Sequence, residues 1–447
     1  MSEFFGSVWW LLVTLGLLVT FHEFGHFWVA RRCGVKVLRF SIGFGKPLWS
    51  RRGRDGTEYV IAAIPLGGYV KFLDAREADD PEAAAREPGE FNAAPLWKRI
   101  AIVAAGPVFN ILFTIFAFWA MFVVGRPDFQ PIIAAPQGLA AEAGLHAGDR
   151  IVSIDGDTVD SWSAAMLGVG EAAMLHHDIA IQAANSSGQI TSHTLALSKL
   201  QSDIVDSAKT FDAIGLHLQA LPVVGEVSDG PARRAGMRTG DKILSINAVA
   251  INDVEAVSST IGMQAAIDPH LKIAVDRDGK RLALDVTAEQ QPSDSKHWII
   301  GIGVHGRGQS AVEHYGPVRA VSAALRETWK TTRSTFTMIG SMLNGQASAK
   351  NLSSVISIAQ VANASAQMGL AWFLSFLAVI SLSLGILNLL PIPILDGGHL
   401  LFYLVELVKG SPVSERVLIA GQYVGIVLLA GLMSLAFYND IARLLTG

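Results

Sequence analysis

The sequence predicts a multi-span α-helical membrane protein with four transmembrane helices, a duplicated soluble insert and a short β element near the N-terminus. Three observations carry this prediction. Four apolar stretches, near residues 7–30, 100–124, 369–390 and 417–437, match the length of about 20 residues that crosses a hydrocarbon core. Between the second and third of them, one glycine-rich pattern occurs twice at a fixed offset. Two alternating apolar runs flank a Pro-Leu-Gly-Gly break shortly after the first.

The first stretch carries no charge outside one motif, His22-Glu23-Phe24-Gly25-His26. Imidazole and carboxylate groups are costly at membrane depth, so their presence there argues function. Residues four apart share a helix face, so His22 and His26 can hold one metal ion, with Glu23 beside them as a general base. A structural site would want a fourth protein ligand. The only cysteine, Cys33, falls beyond the expected helix end. Metal-activated water inside a bilayer points to hydrolysis of a membrane-embedded substrate. The segment has Glu3 and no basic leader, so it reads as a retained span rather than a cleaved signal.

Composition agrees. Of 447 residues 51% are hydrophobic and 17% charged, which suits spans joined to soluble parts. The net charge of −4 gives no reason to expect a nucleic-acid partner. A single cysteine excludes an intramolecular disulfide.

Loop charges orient the spans. Arg31, Arg32, Lys36, Arg39, Lys46, Arg51, Arg52 and Arg54 follow the first span, and Lys98 and Arg99 precede the second. Such loops stay cytoplasmic, so the insert is expected outside and the metal motif toward the cytoplasmic side. In the same loop, 59–64 and 69–72 read as a β-hairpin turning at Pro65-Leu66-Gly67-Gly68. Its apolarity permits a re-entrant position, provided the backbone is covered by protein or faces water.

The insert repeats itself. Ala143-Gly144-Leu145, Gly148-Asp149-Arg150-Ile151 and Asp155 recur 92 positions on (143 to 235) as Ala235-Gly236-Met237, Gly240-Asp241-Lys242-Ile243 and Asn247. Each copy reads as a helix ending at glycine, a Gly-Asp turn and a strand. This pattern resembles a PDZ domain, a module that takes extended peptides at a sheet edge. A peptide-binding pair, a steric gate and a spacer all remain open at this point. After the repeat, Val318, Val321, Leu325, Trp329 and Phe336 recur at helical spacing among Arg319, Arg326, Lys330 and Arg333, an amphipathic helix for the membrane surface or the spans. A milder one is expected over 352–367. The divisions are then 1–126 (two spans, metal motif and β loop), 127–221 and 222–308 (the repeated modules), 309–368 (amphipathic helices) and 369–447 (two spans).

A hydrolytic zinc site needs a third protein ligand. At the end of the third span, Asn388-Leu-Leu-Pro391-Ile-Pro393-Ile-Leu-Asp396-Gly397-Gly398-His399 offers one. The prolines stop the helix and the glycines permit unusual turns, so Asp396 reads as a carboxylate on an irregular, buried segment, or else as a helix cap. His399 reads as a neighbour of the site or a surface residue rather than a ligand.

His22-Glu23-x-x-His26 together with Asn388-x-x-Pro-x-Pro-x-Leu-Asp396-Gly resembles the two-part signature of the site-2 protease family of intramembrane zinc metalloproteases. The tandem insert and the 64–71 element are similar to its bacterial, regulator of sigma-E protease branch, and Gly106-Pro107-x-x-Asn110 in the second span resembles a pattern of the family. The resemblance implies Zn2+ held by His22, His26 and Asp396, and Glu23 as the base. Asn388 would face the substrate, and the loop bearing Gly67, Gly68, Tyr69 and Val70 would receive it. It further implies a bacterial inner-membrane enzyme. Its partners would be membrane lipid and single-span substrates such as an anti-sigma factor already cut on the periplasmic side, with remnant signal peptides as further substrates.

Overall fold

In the computed structural model, residues 2–77, 80–200, 210–291, 294–344 and 354–446 are described. They form two compact units, Met1–Arg126 with His314–Gly447, and Pro127–Glu313.

The first unit is helical around one small sheet. Its principal helices are α1 (Ser2–Arg32), α2 (Leu96–Val124), α3 (Pro317–Leu343), α4 (Val355–Met368), α5 (Leu370–Leu389), α6 (Asp396–Lys409) and α7 (Glu415–Thr446). Four segments, Glu3–Arg32, Leu96–Val124, Leu370–Leu389 and Glu415–Ala442, are long and apolar enough to cross a membrane. They coincide with the four expected stretches. Leu18, Phe113, Phe118 and Met121 pack with Phe373, Phe376 and Leu377, which joins α1, α2 and α5 into one core.

On α3, for which the membrane surface and the spans are both expected alternatives, alanines make the packed face. Ala320, Ala323 and Ala324 are buried, while Val318, Trp329 and Phe336 stay exposed. Small side chains let the helix approach closely, whereas the large ones find no protein cover. The milder helix begins at Val355; positions 352 and 353 of that expectation lie outside the described residues. Its start is capped by Asp440 of α7, whose carboxylate accepts from the backbone and hydroxyl groups of Ser354 and Ser357.

The β loop differs from its expectation. Strands β1 (Val37–Arg52) and β2 (Glu58–Phe72) form the sheet, but 59–64 and 69–72 do not pair with each other. Both runs instead flank the start of β1. Arg39 faces Glu58 and Lys71, Phe40 faces Tyr59 and Val70, and Ser41 faces Val60 and Tyr69. Pro65 has no N–H with which to close a turn, and the backbone stays extended past the tip, where Ile64 sits opposite Phe44. Residues 47–52 pair on the far side of 58–62, which leaves 68–72 as an outer edge. Phe40 and Val37 anchor the sheet on Phe27 and Ala30 of α1 and on Ile102 and Val103 of α2.

The second unit holds two larger sheets and two two-stranded ones among the described residues. The first has Arg150–Ile154 between Asp157–Thr158 and Ile179–Ala184, with Ile190–Leu195 beyond. The second runs Lys280–Thr287, His270–Arg277, Lys242–Ile246, Leu221–Val227, Ile302–Arg307. The sequence repeat has a local cause. In each copy the Gly-Asp turn is closed by its aspartate: Asp149 Oδ2 accepts from His146 N and Asp241 Oδ2 from Arg238 N, both at 2.8 Å. Gly148 and Gly240 take φ of 88° and 92°, where a side chain would be strained. One turn later, Asp155 accepts from Ala180 N and Asn247 from Lys272 N, tying each strand to its neighbour. The second copy adds an ion pair, Arg277 to Asp241. Burial would raise the Asp241 carboxyl, but the Arg277 guanidinium and the Arg238 amide outweigh it and hold the group below the ordinary range.

Candidate metal centre

His22 and His26 lie one helical turn apart on α1, with rings edge to face and centroids 4.8 Å apart. Both are buried. Their Nε2 atoms are 3.2 Å from each other. Asp396 Oδ2 lies 3.2 Å from His22 Nε2 and 3.5 Å from His26 Nε2. These three are brought together across 370 positions of chain (26 to 396), with one ligand atom from each within 4.8 Å of the others.

Asp396 arrives there because α5 ends and α6 begins within a few residues. Leu390 leaves α5, and Ile392 N and Leu395 N bond back to Leu390 O and Ile392 O. Ile394 takes φ 126°, a costly value for a branched residue. Gly397 and Gly398 press on the carbonyls of Leu390 and Ile392, where any Cβ would overlap. Asp396 is then the first residue of α6, and its side chain is 18% exposed, so the segment is half-buried rather than buried as expected. Farther along α6, Glu406 accepts two bonds from Arg99 of α2, at 2.6 and 3.1 Å, while Arg99 lies over the Tyr403 ring. This clamp holds α6, and with it Asp396, against the helix that backs the histidines.

Close approach of α1 to α2 also depends on glycine. A Cβ on Gly106 would overlap the imidazoles of both His22 and His26, and one on Gly25 would overlap the Ala105 carbonyl.

The residues fit a divalent cation. His26 Nδ1 is 2.8 Å from Ile102 O, so that nitrogen carries the ring proton and Nε2 offers a lone pair. Asp396 Oδ2 is buried with no hydrogen bond to it. Two imidazole nitrogens and a carboxylate oxygen thus converge on one point, a donor set that suits a divalent cation. A tetrahedral zinc with Zn–N bonds of 2.0–2.1 Å sets its ligand atoms about 3.3 Å apart, and the observed spacings bracket that value.

A cavity of about 430 Å³ opens beside this point, lined by His22, Glu23, His26, Asn388 and Asp396, with Tyr69, Val70, Lys71 and Phe72 from the sheet edge. Glu23 is half-buried and lies with Val70 on the cavity wall. Gly68 lies under the Glu23 side chain, where a Cβ would come 3.2 Å from Cγ. Gly67 does not join the wall; it packs on the Phe44 ring. His399 does reach the cavity. Burial holds its imidazole below the ordinary value, against the pull of Asp396. Asp74 and Arg76, which sequence reading passed over, line the same cavity as an ion pair. They come from the link after β2 and the short 3₁₀ helix Ala75–Glu77, with no motif to mark them.

The profile of Peptidase family M50 matches residues 10–432. A protein of Xylella fastidiosa (strain 9a5c), whose name describes it as a zinc metalloprotease, is 46% identical over 448 residues, covering 99% of this chain and 100% of its own length. The Protease RseP of Yersinia pestis is 41% identical over 460 residues, 98% of this chain and 100% of the relative. The Regulator of sigma-E protease RseP of Escherichia coli (strain K12) is 39% identical over 445 residues, 97% and 98%. With a family match and relatives of this identity along nearly the whole chain, and with apolar helices around a converging His-His-Asp set, the chain belongs to peptidase family M50, the zinc-dependent metalloproteases that include the site-2 proteases.

Proposed function

We propose that this metalloprotease cleaves membrane-embedded segments of single-span proteins. Zinc would be held by His22, His26 and Asp396, Glu23 would serve as base, and the cavity wall from Asn388 to the 69–72 edge would bind the substrate backbone. The observation that carries the reading is the convergence of the three ligand atoms within 4.8 Å, beside a carboxylate and an open cavity.

Bound there, zinc supplies Lewis-acid polarisation of a carbonyl and lowers the pKa of a water to about 7. Glu23 accepts the proton of the attacking water on a carboxylate oxygen and returns it to the leaving nitrogen. The Asn388 amide donates to the substrate backbone or to the oxygen that gains charge, a contribution of roughly 2.7–4 kcal/mol for such donors. A helical substrate has its carbonyls already bonded and must unwind before one is reachable. The outer edge at 68–72 offers replacement hydrogen bonds to the unwound strand. Val70→Pro is expected to cut turnover at least tenfold while sparing zinc content. Unchanged turnover would remove the edge from the reading.

The name of the Escherichia coli relative, a regulator of sigma-E protease, supports placing this activity in sigma-E regulation; an anti-sigma factor as substrate for a second cut, and remnant signal peptides as further substrates, are what the sequence resemblance adds to the proposal. The basic stretch after α1 supports a bacterial inner-membrane orientation with the metal centre toward the cytoplasm and residues 127–308 in the periplasm. We read the two repeated modules, 127–221 and 222–308, as PDZ domains, on the shared Gly-Asp turn and the sheet that follows it in each copy. Residues 58–72 are read as re-entrant because Ile61 and Ile64 are exposed apolar residues beside a membrane helix.

Metal removal tests the function directly. Purified full-length protein in detergent, mixed with a tagged single-span substrate, should lose cleavage on chelation and regain it with stoichiometric zinc. Cleavage that survives complete loss of zinc would defeat the assignment.

A further inference from the structure

We propose that Asn110 is a positioning residue for the metal centre, its side-chain oxygen fixing His22 so that Nε2 turns a lone pair to the cation. This role presumes the ligand set His22, His26 and Asp396. Nothing in that set uses Asn110, although its side chain is completely buried beside it.

A neutral imidazole has one proton for two nitrogens. If Nε2 is to bind a metal, Nδ1 must hold that proton, and in a buried site it needs an acceptor. His26 has the Ile102 carbonyl. The group that meets His22 Nδ1 is the Asn110 amide, with Nδ2 at 3.2 Å. On the other side of that amide, Oδ1 is buried without a hydrogen-bond partner. A half turn of the amide exchanges the two atoms.

The two orientations have different consequences. With Nδ2 toward the ring, His22 Nδ1 must accept, so the proton sits on Nε2 and points at Asp396, where it shuts out a cation. With Oδ1 toward the ring, Nδ1–H donates and Nε2 is free. Either way one amide atom is left unpaired, so satisfaction alone does not choose. The requirement for a lone pair at Nε2 does.

The backbone at Asn110 is well held. Its carbonyl accepts from Thr114 Oγ1 and from Ser381 Oγ of α5, each at 2.9 Å. Gly106, one turn earlier on the same face, makes room for the two rings. The amide therefore meets His22 from a fixed platform.

The test is zinc affinity, measured by chelator competition on purified full-length protein. Asn110→Leu removes the acceptor at nearly constant size and should weaken zinc binding by about 10–100-fold, the range for lost outer partners of ligating histidines. Asn110→Asp can only accept, and should bind zinc within threefold of the parent or more tightly. If the leucine variant is not recovered folded, Asn110→Ala takes its place with the same expectation. Parental affinity in the leucine or alanine variant overturns the role, and so does an aspartate variant that falls as far as they do. His22→Ala and Asp396→Asn are measured alongside: if these keep parental affinity, it is the ligand set that fails, whatever Asn110 does.

Discussion

Glu23→Gln is expected to leave zinc stoichiometry unchanged and to lower cleavage of a single-span substrate by about 10²–10⁴-fold, the usual contribution of general acid–base catalysis. The substitution keeps size and shape. Glutamine fills the same space above Gly68 and beside Val70, so the contact between α1 and the sheet edge should survive. What it loses is the ability to take a proton. Glu23 is also not one of the three groups that converge within 4.8 Å, so metal affinity should be nearly untouched. Zinc by elemental analysis and cleavage by gel are measured on the same preparation. Loss of zinc together with activity would make Glu23 a ligand, and retained activity would remove it from the chemistry.

The second large effect is expected at Gly106. One added methyl there would overlap the imidazoles of His22 and His26. Gly106→Ala must therefore push the rings from their shared point or part α1 from α2. Overpacking of this kind costs about 1–3 kcal/mol of stability. The metal should suffer more, because three ligand atoms must meet within tenths of an ångström. Zinc retained through size-exclusion chromatography is expected to fall below a tenth of the parent. Gly16→Ala on α1 is the control: nothing lies within 4 Å of its added Cβ, and alanine favours the helix by up to about 1 kcal/mol. A Gly106→Ala protein that holds zinc like the parent would show that the two helices are not held as close as described.

Much of the site could be read before any coordinates. His22, Glu23 and His26 declare themselves because three costly polar groups at ligand spacing interrupt an apolar run. Asp396 could be found because two prolines and two glycines break the chain beside the first carboxylate after the third span. The four spans are legible for the same reason, since the length and apolarity needed to cross a bilayer are local properties. The tandem insert is legible because one turn chemistry, an aspartate closing a Gly-Asp turn, was written twice.

Other features were not legible because they depend on groups far apart in the chain. The order of the small sheet was misread: 59–64 and 69–72 look like hairpin partners by alternation, yet alternation says only which face a residue takes and not which strand lies beside it. The packed face of α3 is open, by sequence, between the membrane surface and the spans; alanines make its protein contact, while its large apolar residues stay exposed. Gly106-Pro107-x-x-Asn110 is visible as a motif, but nothing in it says that it will meet His22 and His26, and Arg99 gives no sign that it will meet Glu406.

The sequence by itself determined the reaction chemistry and the spans, since spacing along one helix and the length of an apolar run are fixed by local covalent geometry. Only the tertiary structure decided what surrounds the metal point. It set Asp396 against both imidazoles, Gly106 beneath them, Asn110 behind His22 and Val70 against Glu23. These contacts join segments tens to hundreds of residues apart, and close packing of helices, not any nearest-neighbour rule, sets their distances.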